Sequence, residues 1–196
     1  MNKLIIITGI SGTGKSTLAQ MLYNKIENSV IISFDKLSEN TYDMIGFNNE
    51  QEKKDLRLLN EKIYKSLIKQ CMKRNDGVII LEKPFRVKWK NFFRKLSEQY
   101  GYEIYTINMY AEDFETIWKR LLKREMSMEE RHPSHYLNSY NLKKKEKYEP
   151  YFEYDYNQLK KEYYELLSNS INLGNVINID DIEKLDIDKL IEEIMS

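Results

Sequence analysis

A chain of 196 residues has room for one domain with a sizeable insertion and none for a second catalytic domain. Its 31 Lys plus Arg balance its 31 Asp plus Glu, so no bulk field draws it to nucleic acid or to an anionic membrane, and any polyanion site has to be local. With 41% hydrophobic and 32% charged residues it can bury a core beneath a charged surface, which excludes wholesale disorder.

The chain opens on Lys3–Thr8, a short continuous apolar run that stops at a Gly-rich segment, as a buried parallel strand does. Its apolar stretch, Leu4 to Ile7, is shorter than the about 7–15 residues of a signal-peptide core or the about 20 of a membrane span, so a cytoplasmic protein without membrane contact is expected. A helical pattern follows at 15–26, then a β-rich run at 30–34 and a long helical pattern over Glu50–Arg74. That helix carries Cys71, the only cysteine, so no internal disulfide and no cysteine-based metal site can form, and a small packed residue is expected there.

Further on, strands are expected at 77–81, Glu103–Met109 and Asn175–Ile179, and helices at 89–100, 114–124 and 182–194, with Asp113 as an N-cap. Strand and helix alternate, which points to an α/β fold. The expectation is a three-layer sandwich with a five-stranded parallel sheet and helices on both faces, all within a single domain over 1–196. From Met126 to Gly174 no strand pattern occurs. This stretch holds eight of the fifteen tyrosines, both histidines and Lys143-Lys144-Lys145, and reads as a helical lid or insertion over 126–174 within the same domain.

The chemistry is concentrated at Gly9-Ile10-Ser11-Gly12-Thr13-Gly14-Lys15-Ser16, which fits G-x-x-x-x-G-K-[ST] and is followed by Thr17. It lies directly after a predicted strand and before a predicted helix. Successive backbone N–H groups of such a loop wrap an anion at the helix N-terminus, and glycines allow the close approach. Lys15 supplies a point charge for the β- and γ-phosphates, and the Ser16 hydroxyl is a ligand for Mg²⁺. Gly9, Ser11, Gly12, Thr13, Gly14, Lys15, Ser16 and Thr17 are therefore the expected ATP-binding residues.

A GTPase would carry N-K-x-D late in the chain, and none is present; Asp43-Met44-Ile45-Gly46 imitates D-x-x-G but precedes the third strand. No hydrophobic strand ends in an Asp-Glu pair, and the chain is small for a motor ATPase. The Gly9–Thr17 loop, a strand ending in Ser33-Phe34-Asp35, and an Arg-rich segment before the last strand resemble the P-loop kinases. That group includes polynucleotide 5′-kinases and small-molecule phosphotransferases, and the resemblance to these AAA-type ATP-binding proteins covers nearly the whole chain. It implies that Asp35 orients or deprotonates the acceptor hydroxyl, since strand ends at the carboxyl edge of such a sheet converge beside the phosphate loop. An aspartate there also commonly caps a turn.

Glu82, ending Leu81-Glu82, is a candidate to hold Mg²⁺ through water or to bind the acceptor, although relatives more often carry Asp there and a structural ion pair is a further reading. Lys83–Lys95 holds six basic residues and no acidic one, interleaved with Phe85, Trp89, Phe92 and Phe93. It either grips an anionic acceptor or is an amphipathic helix with its aromatics in the core. Arg120, Arg124 and Arg131 resemble the lid arginines that stabilise the transferring phosphoryl group, with Arg120 and Arg124 four apart on one helix face. Arg131-His132-Pro133-Ser134-His135 resembles the R-H-P-G-H lid element of these kinases, with Ser for Gly. The two histidines bind substrate phosphate or a metal, or else stabilise the loop. Tyr136, Tyr140, Tyr148, Tyr151, Phe152, Tyr154 and Tyr156 either line an acceptor pocket or pack the insertion, and the Lys143–Lys147 run reads as a solvated face.

The expected activity is transfer of the γ-phosphoryl group of Mg-ATP to a hydroxyl on a small molecule or a nucleic acid 5′-end. The rival is an ATP-binding module without turnover whose Tyr-rich insertion docks on a protein partner.

Overall fold

The computed structural model describes residues 2–74, 77–111, 113–126, 132–135, 137–142 and 155–196. Five strands form one sheet: β1 (Lys3–Thr8), β2 (Ser29–Ser33), β3 (Val78–Glu82), β4 (Glu103–Met109) and β5 (Asn175–Ile179). They are all parallel, in the order β2-β3-β1-β4-β5. The central strands β1 and β3 read as continuous apolar runs because both faces are covered. Along β1, Leu4 and Ile6 pack with Tyr64, Ile68 and Met72 of α3 (Glu50–Arg74) and with Phe93 and Leu96 of α4 (Lys90–Tyr100) on one face. On the other face, Ile5 and Ile7 meet Leu18 and Leu22 of α1 (Lys15–Lys25) and Leu190 and Ile194 of α7 (Ile187–Met195). This is the three-layer α/β sandwich that the alternation implied.

Two further helices lie beside the loop after β1. In α5 (Phe114–Met126), Asp113 Oδ1 accepts from Thr116 N at 2.7 Å, the cap expected from sequence. In α6 (Tyr156–Ser168), Leu159 and Tyr163 pack with Phe114, Ile117 and Leu121 of α5 and with Ile10. Of the stretch 126–174, residues 127–131, 136 and 143–154 lie outside the described residues, and with them Arg131, Tyr136, Tyr148, Tyr151, Phe152, Tyr154 and Lys143–Lys147.

The structure adds one helix that periodicity did not reveal, α2 (Phe34–Ile45). Its buried positions, Phe34, Ser38, Thr41 and Tyr42, fall on one face at helical spacing, but Ser38 and Thr41 are small and polar, so the apolar stripe is broken in sequence. Ser33 starts it, its Oγ accepting from Lys36 N at 3.3 Å. The expected helix 182–194 divides into a 3₁₀ turn at Ile182–Lys184 and α7, because Leu185 is extended and Asp186 caps a new helix by accepting from Lys189 N. No helix among the described residues is long and apolar enough to cross a membrane.

Candidate phosphate cradle and acceptor cleft

The loop after β1 closes tightly enough to explain its glycines. A Cβ on Gly9 would stand 2.6 Å from the Met109 carbonyl oxygen, and Gly14 enters α1 with φ of 88°, in the left-handed region, against Ile182. Thr13 is buried, its hydroxyl donating to the Ile10 carbonyl at 2.9 Å, so it braces the loop from inside and leaves only its backbone for a ligand. Lys15 Nζ donates to the same carbonyl at 2.7 Å and faces a cleft of about 550 Å³. Burial pushes the Lys15 ammonium down to about 8; Asp35 and Glu82 counter this by charge attraction, and Arg124 adds to it by repulsion. Thr17 follows on the exposed side of α1.

The sheet register builds the next part. Glu82 pairs with Ile7 on one side and Ser33 on the other, so the last residues of β2 and β3 stand abreast beside the loop. Glu82 is 8% exposed and held at both oxygens: Oε2 accepts from Ser16 Oγ at 2.6 Å and Oε1 from Ser33 Oγ at 2.7 Å. A hydroxyl and a carboxylate oxygen held together are hard oxygen donors of the kind Mg²⁺ takes. Among the described residues no group of three or more His, Cys, Asp or Glu side chains could hold a metal by itself, so phosphate oxygens and water would have to complete the shell.

The cleft continues from this edge over α2 and α3. Asp35, in the first turn of α2, lines it, exposed; the cap of that helix is Ser33, so the turn-capping reading of Asp35 is not the one the structure takes. Arg124 also lines the cleft. Arg120 does not: its Nη2 pairs with Glu183 Oε1 at 2.9 Å and reaches Asp181 at 4.0 Å, beyond β5. The shared helix face expected for the two arginines is thus divided between two environments.

His132, Ser134 and His135 line the far wall. His132 Nε2 lies 2.9 Å from Asp43 Oδ1 and its Nδ1 2.7 Å from Ser134 Oγ; His135 Nε2 lies 2.9 Å from Glu39 Oε1. Burial raises the Glu39 carboxyl, but hydrogen bonds from Lys36 and His135 outweigh it and hold the group below its usual range; Tyr140 and His132 do the same for Asp43. Tyr140 donates to Asp43 at 2.5 Å, exchanges two backbone hydrogen bonds with Phe47, and packs with Tyr42, Phe47 and Leu137. Residues 132–135 and 137–142 are therefore seated on α2 by the two histidines and Tyr140, the loop-stabilising reading. Tyr156 packs on Phe114 and Trp118. The basic stretch after β3 divides: Phe85, Trp89 and Phe93 are core, while Lys83 turns into the cleft.

Sequence reading did not single out Ser33 as a second hydroxyl on Glu82, nor Arg57, Lys53 and Glu39 as cleft residues. The Ser33-Phe34-Asp35 strand end was a usable signal for the first. Arg57 sits in a helix so densely charged that nothing local distinguishes it.

With this geometry in hand, comparison with known proteins gives a consistent picture. A family model described as an AAA domain matches residues 5–141. A protein of Archaeoglobus fulgidus assigned as a probable adenylyl-sulfate kinase is 30% identical over 106 residues, 51% of this chain; the chain spans 64% of that relative's length. Among solved structures, a candidate kinase from Chloroflexus aurantiacus superposes with a TM-score of 0.75 at 19% identity, covering 99% of this chain and 97% of that one. The tunicamycin resistance protein of Deinococcus radiodurans gives 0.58 at 12% identity, covering 99% and 94%. Kti12 of Chaetomium thermophilum, solved with ADP-AlF3, gives 0.54 at 16% identity, covering 97% and 98%. These structural likenesses establish the fold, a kinase-like P-loop architecture.

Proposed function

The chain belongs to the AAA domain family, and from that membership and the cradle we propose that it is an ATP-dependent phosphotransferase acting on a hydroxyl. The observation that carries the reading is the Ser16–Glu82–Ser33 bridge beside Lys15, with Asp35 across the same cleft. A nucleotide-binding module needs the loop; it has no need of a carboxylate facing Lys15 from the acceptor side.

In the proposed reaction the loop N–H groups and Lys15 hold the phosphates of ATP, which draws Lys15 off the Ile10 carbonyl. Asp35 accepts the proton of the acceptor hydroxyl as its oxygen bonds to the γ-phosphorus. The bond from that phosphorus to the β,γ-bridging oxygen breaks, and its electron pair leaves with ADP. Arg124 neutralises charge on the moving phosphoryl group. Ser16, and Glu82 directly or through water, would hold Mg²⁺, which when bound supplies charge neutralisation on the β- and γ-oxygens.

The test is γ-labelled ATP with Mg²⁺ against a panel of nucleosides, sugars, aminoglycosides and 5′-hydroxyl oligonucleotides. Acceptor-dependent ADP release with label in the acceptor supports the reading. Nucleotide binding with no acceptor-dependent release from any class overturns it in favour of a binding module docking on a protein partner.

A further inference from the structure

A second cleft, of about 620 Å³, adjoins the first, and the two share Ser11, Arg57, Lys83 and Pro84. Lys15, Ser16 and Arg124 line only the first cleft, whereas Arg57 and Lys83 line both, so the charges on the shared wall are the ones that also reach the second cleft. That wall carries more positive than negative charge. Glu61 Oε1 lies 3.2 Å from Lys83 Nζ and its Oε2 lies 3.6 Å from Lys88 Nζ, so one carboxylate serves two ammonium groups. Arg57 makes no ion pair among the described residues, yet it is near enough to repel Lys83 and to act on Tyr42.

Lys83 is 7% exposed, its ammonium 3.6 Å from the centroid of the Phe34 ring and 4.9 Å from that of Trp89. Burial, together with repulsion from Arg57 and Lys88, outweighs the attraction of Glu61 and brings Lys83 down to about 8. A buried cation sharing half a carboxylate beside an unpaired guanidinium is an arrangement that an anion completes. A guanidinium fork matches the paired oxygens of an oxyanion, and the neighbouring ammonium adds a point charge.

Building on the phosphotransferase reading, we propose that the acceptor is a small alcohol bearing a phosphate or similar oxyanion, which seats between Arg57 and Lys83 while its hydroxyl reaches toward Asp35. A small molecule fits better than a nucleic acid strand. The clefts intersperse Asp35, Glu39, Glu61 and Glu162 among their cations, which leaves no continuous basic track for a backbone, and residues 132–135 wall the first cleft. Each volume is in the range of small-ligand sites, about 300–1,000 Å³.

The protein, loaded with Mg²⁺ and a non-hydrolysable ATP analogue, is titrated calorimetrically with inorganic phosphate and separately with inorganic sulfate. One further saturable site is expected, weakened about tenfold or more in Arg57→Ala. Arg94→Ala, which removes the same charge from the exposed side of α4, leaves it unchanged. Arg57 is exposed, so its variant is expected to fold; the buried Lys83→Met is a secondary probe. In turnover, ribose 5-phosphate and nucleoside monophosphates are compared with ribose and the parent nucleosides. The esters should be favoured about tenfold or more in kcat/KM, and Arg57→Ala should erase the preference.

Oxyanion binding indifferent to Arg57→Ala, or uncharged alcohols turned over as well as their esters, overturns the proposal while the phosphotransferase reading stands. So does a 5′-hydroxyl oligonucleotide preferred to every small ester. If oxyanion binding depends on Arg57 but no compound elicits ADP release, the phosphotransferase reading fails, and the acceptor assignment with it.

Discussion

Glu82 Oε2 accepts a hydrogen bond from Ser16 Oγ at 2.6 Å, joining the end of β3 to the first turn of α1 across 66 residues of chain. The other carboxylate oxygen is held by Ser33, so Glu82 cannot turn away from Ser16 without losing both bonds. The proposed cation site is thus set before any ligand arrives. An amide in its place keeps the shape but carries no charge. Glu82→Gln should therefore raise the Mg²⁺ concentration needed for half-maximal transfer by roughly 10–100-fold, with metal-free ATP affinity little changed. A Mg²⁺ titration of initial rates checks this; an unaltered midpoint would remove Glu82 from the cation site.

Lys15 should show itself in stability as well as activity. Its folded value, about 8, lies below the ordinary 10.5, so the cost of burying its charge is fully present below pH 8. That cost is relieved between pH 8 and 10.5, where the unfolded chain binds the extra proton. Without nucleotide, Lys15→Met should melt above wild type at pH 7 by roughly 2–8 °C, and the gap should close toward pH 10. The same variant should have no phosphoryl transfer. Thermal scans at both pH values check the first part; a gap that widens with pH contradicts it.

Asp35→Asn should leave ATP affinity in place and lower transfer by roughly 10²–10⁴-fold, the range for loss of a general base. Because Ser33 and not Asp35 caps α2, the substitution spares the helix start. Measuring kcat with the cognate acceptor beside ATP binding separates the two effects. Turnover near wild type would end the catalytic assignment of Asp35.

The two arginines of α5 should behave differently. Arg124→Ala should lower kcat far more than it raises the ATP dissociation constant, because a charge on the moving phosphoryl group acts on the transition state. Arg120→Ala breaks a partly exposed pairing with Glu183 and Asp181 and should cost less than about 1 kcal/mol of stability. Its kcat should fall far less than that of Arg124→Ala. Equal kcat losses would show that Arg120 leaves those carboxylates during turnover.

The seating of residues 132–135 and 137–142 on α2 is testable through Asp43, which does not itself line the cleft. Asp43 accepts from Tyr140 and pairs with His132, and Asp43→Ala removes both contacts. Limited proteolysis should then cut faster within this segment. A double-mutant cycle with His132→Ala should give a coupling of about 0.5–3 kcal/mol. Additive effects would mean that the pair contributes nothing to the seating.

The features that sequence alone determined are those whose signal is local. Lys3–Thr8, Glu103–Met109 and Asn175–Ile179 announce themselves as strands because both faces of a parallel sheet are buried, or because β-branched residues recur. Gly9 to Ser16 states its own chemistry because eight consecutive residues form the cradle. Tertiary structure decided the rest, because it depends on which distant residues become neighbours. Helix α2 has too few apolar residues to be seen without α3 beside it. Ser33 meets Glu82 only through the β2-β3 register, and His132 meets Asp43 across 89 positions. Arg57 and Lys83 share a wall only because α3 packs against β3 on one face of the sheet. A charged residue in a charged helix carries no local mark of its partner; only the packing that removes water around it gives its charge a use.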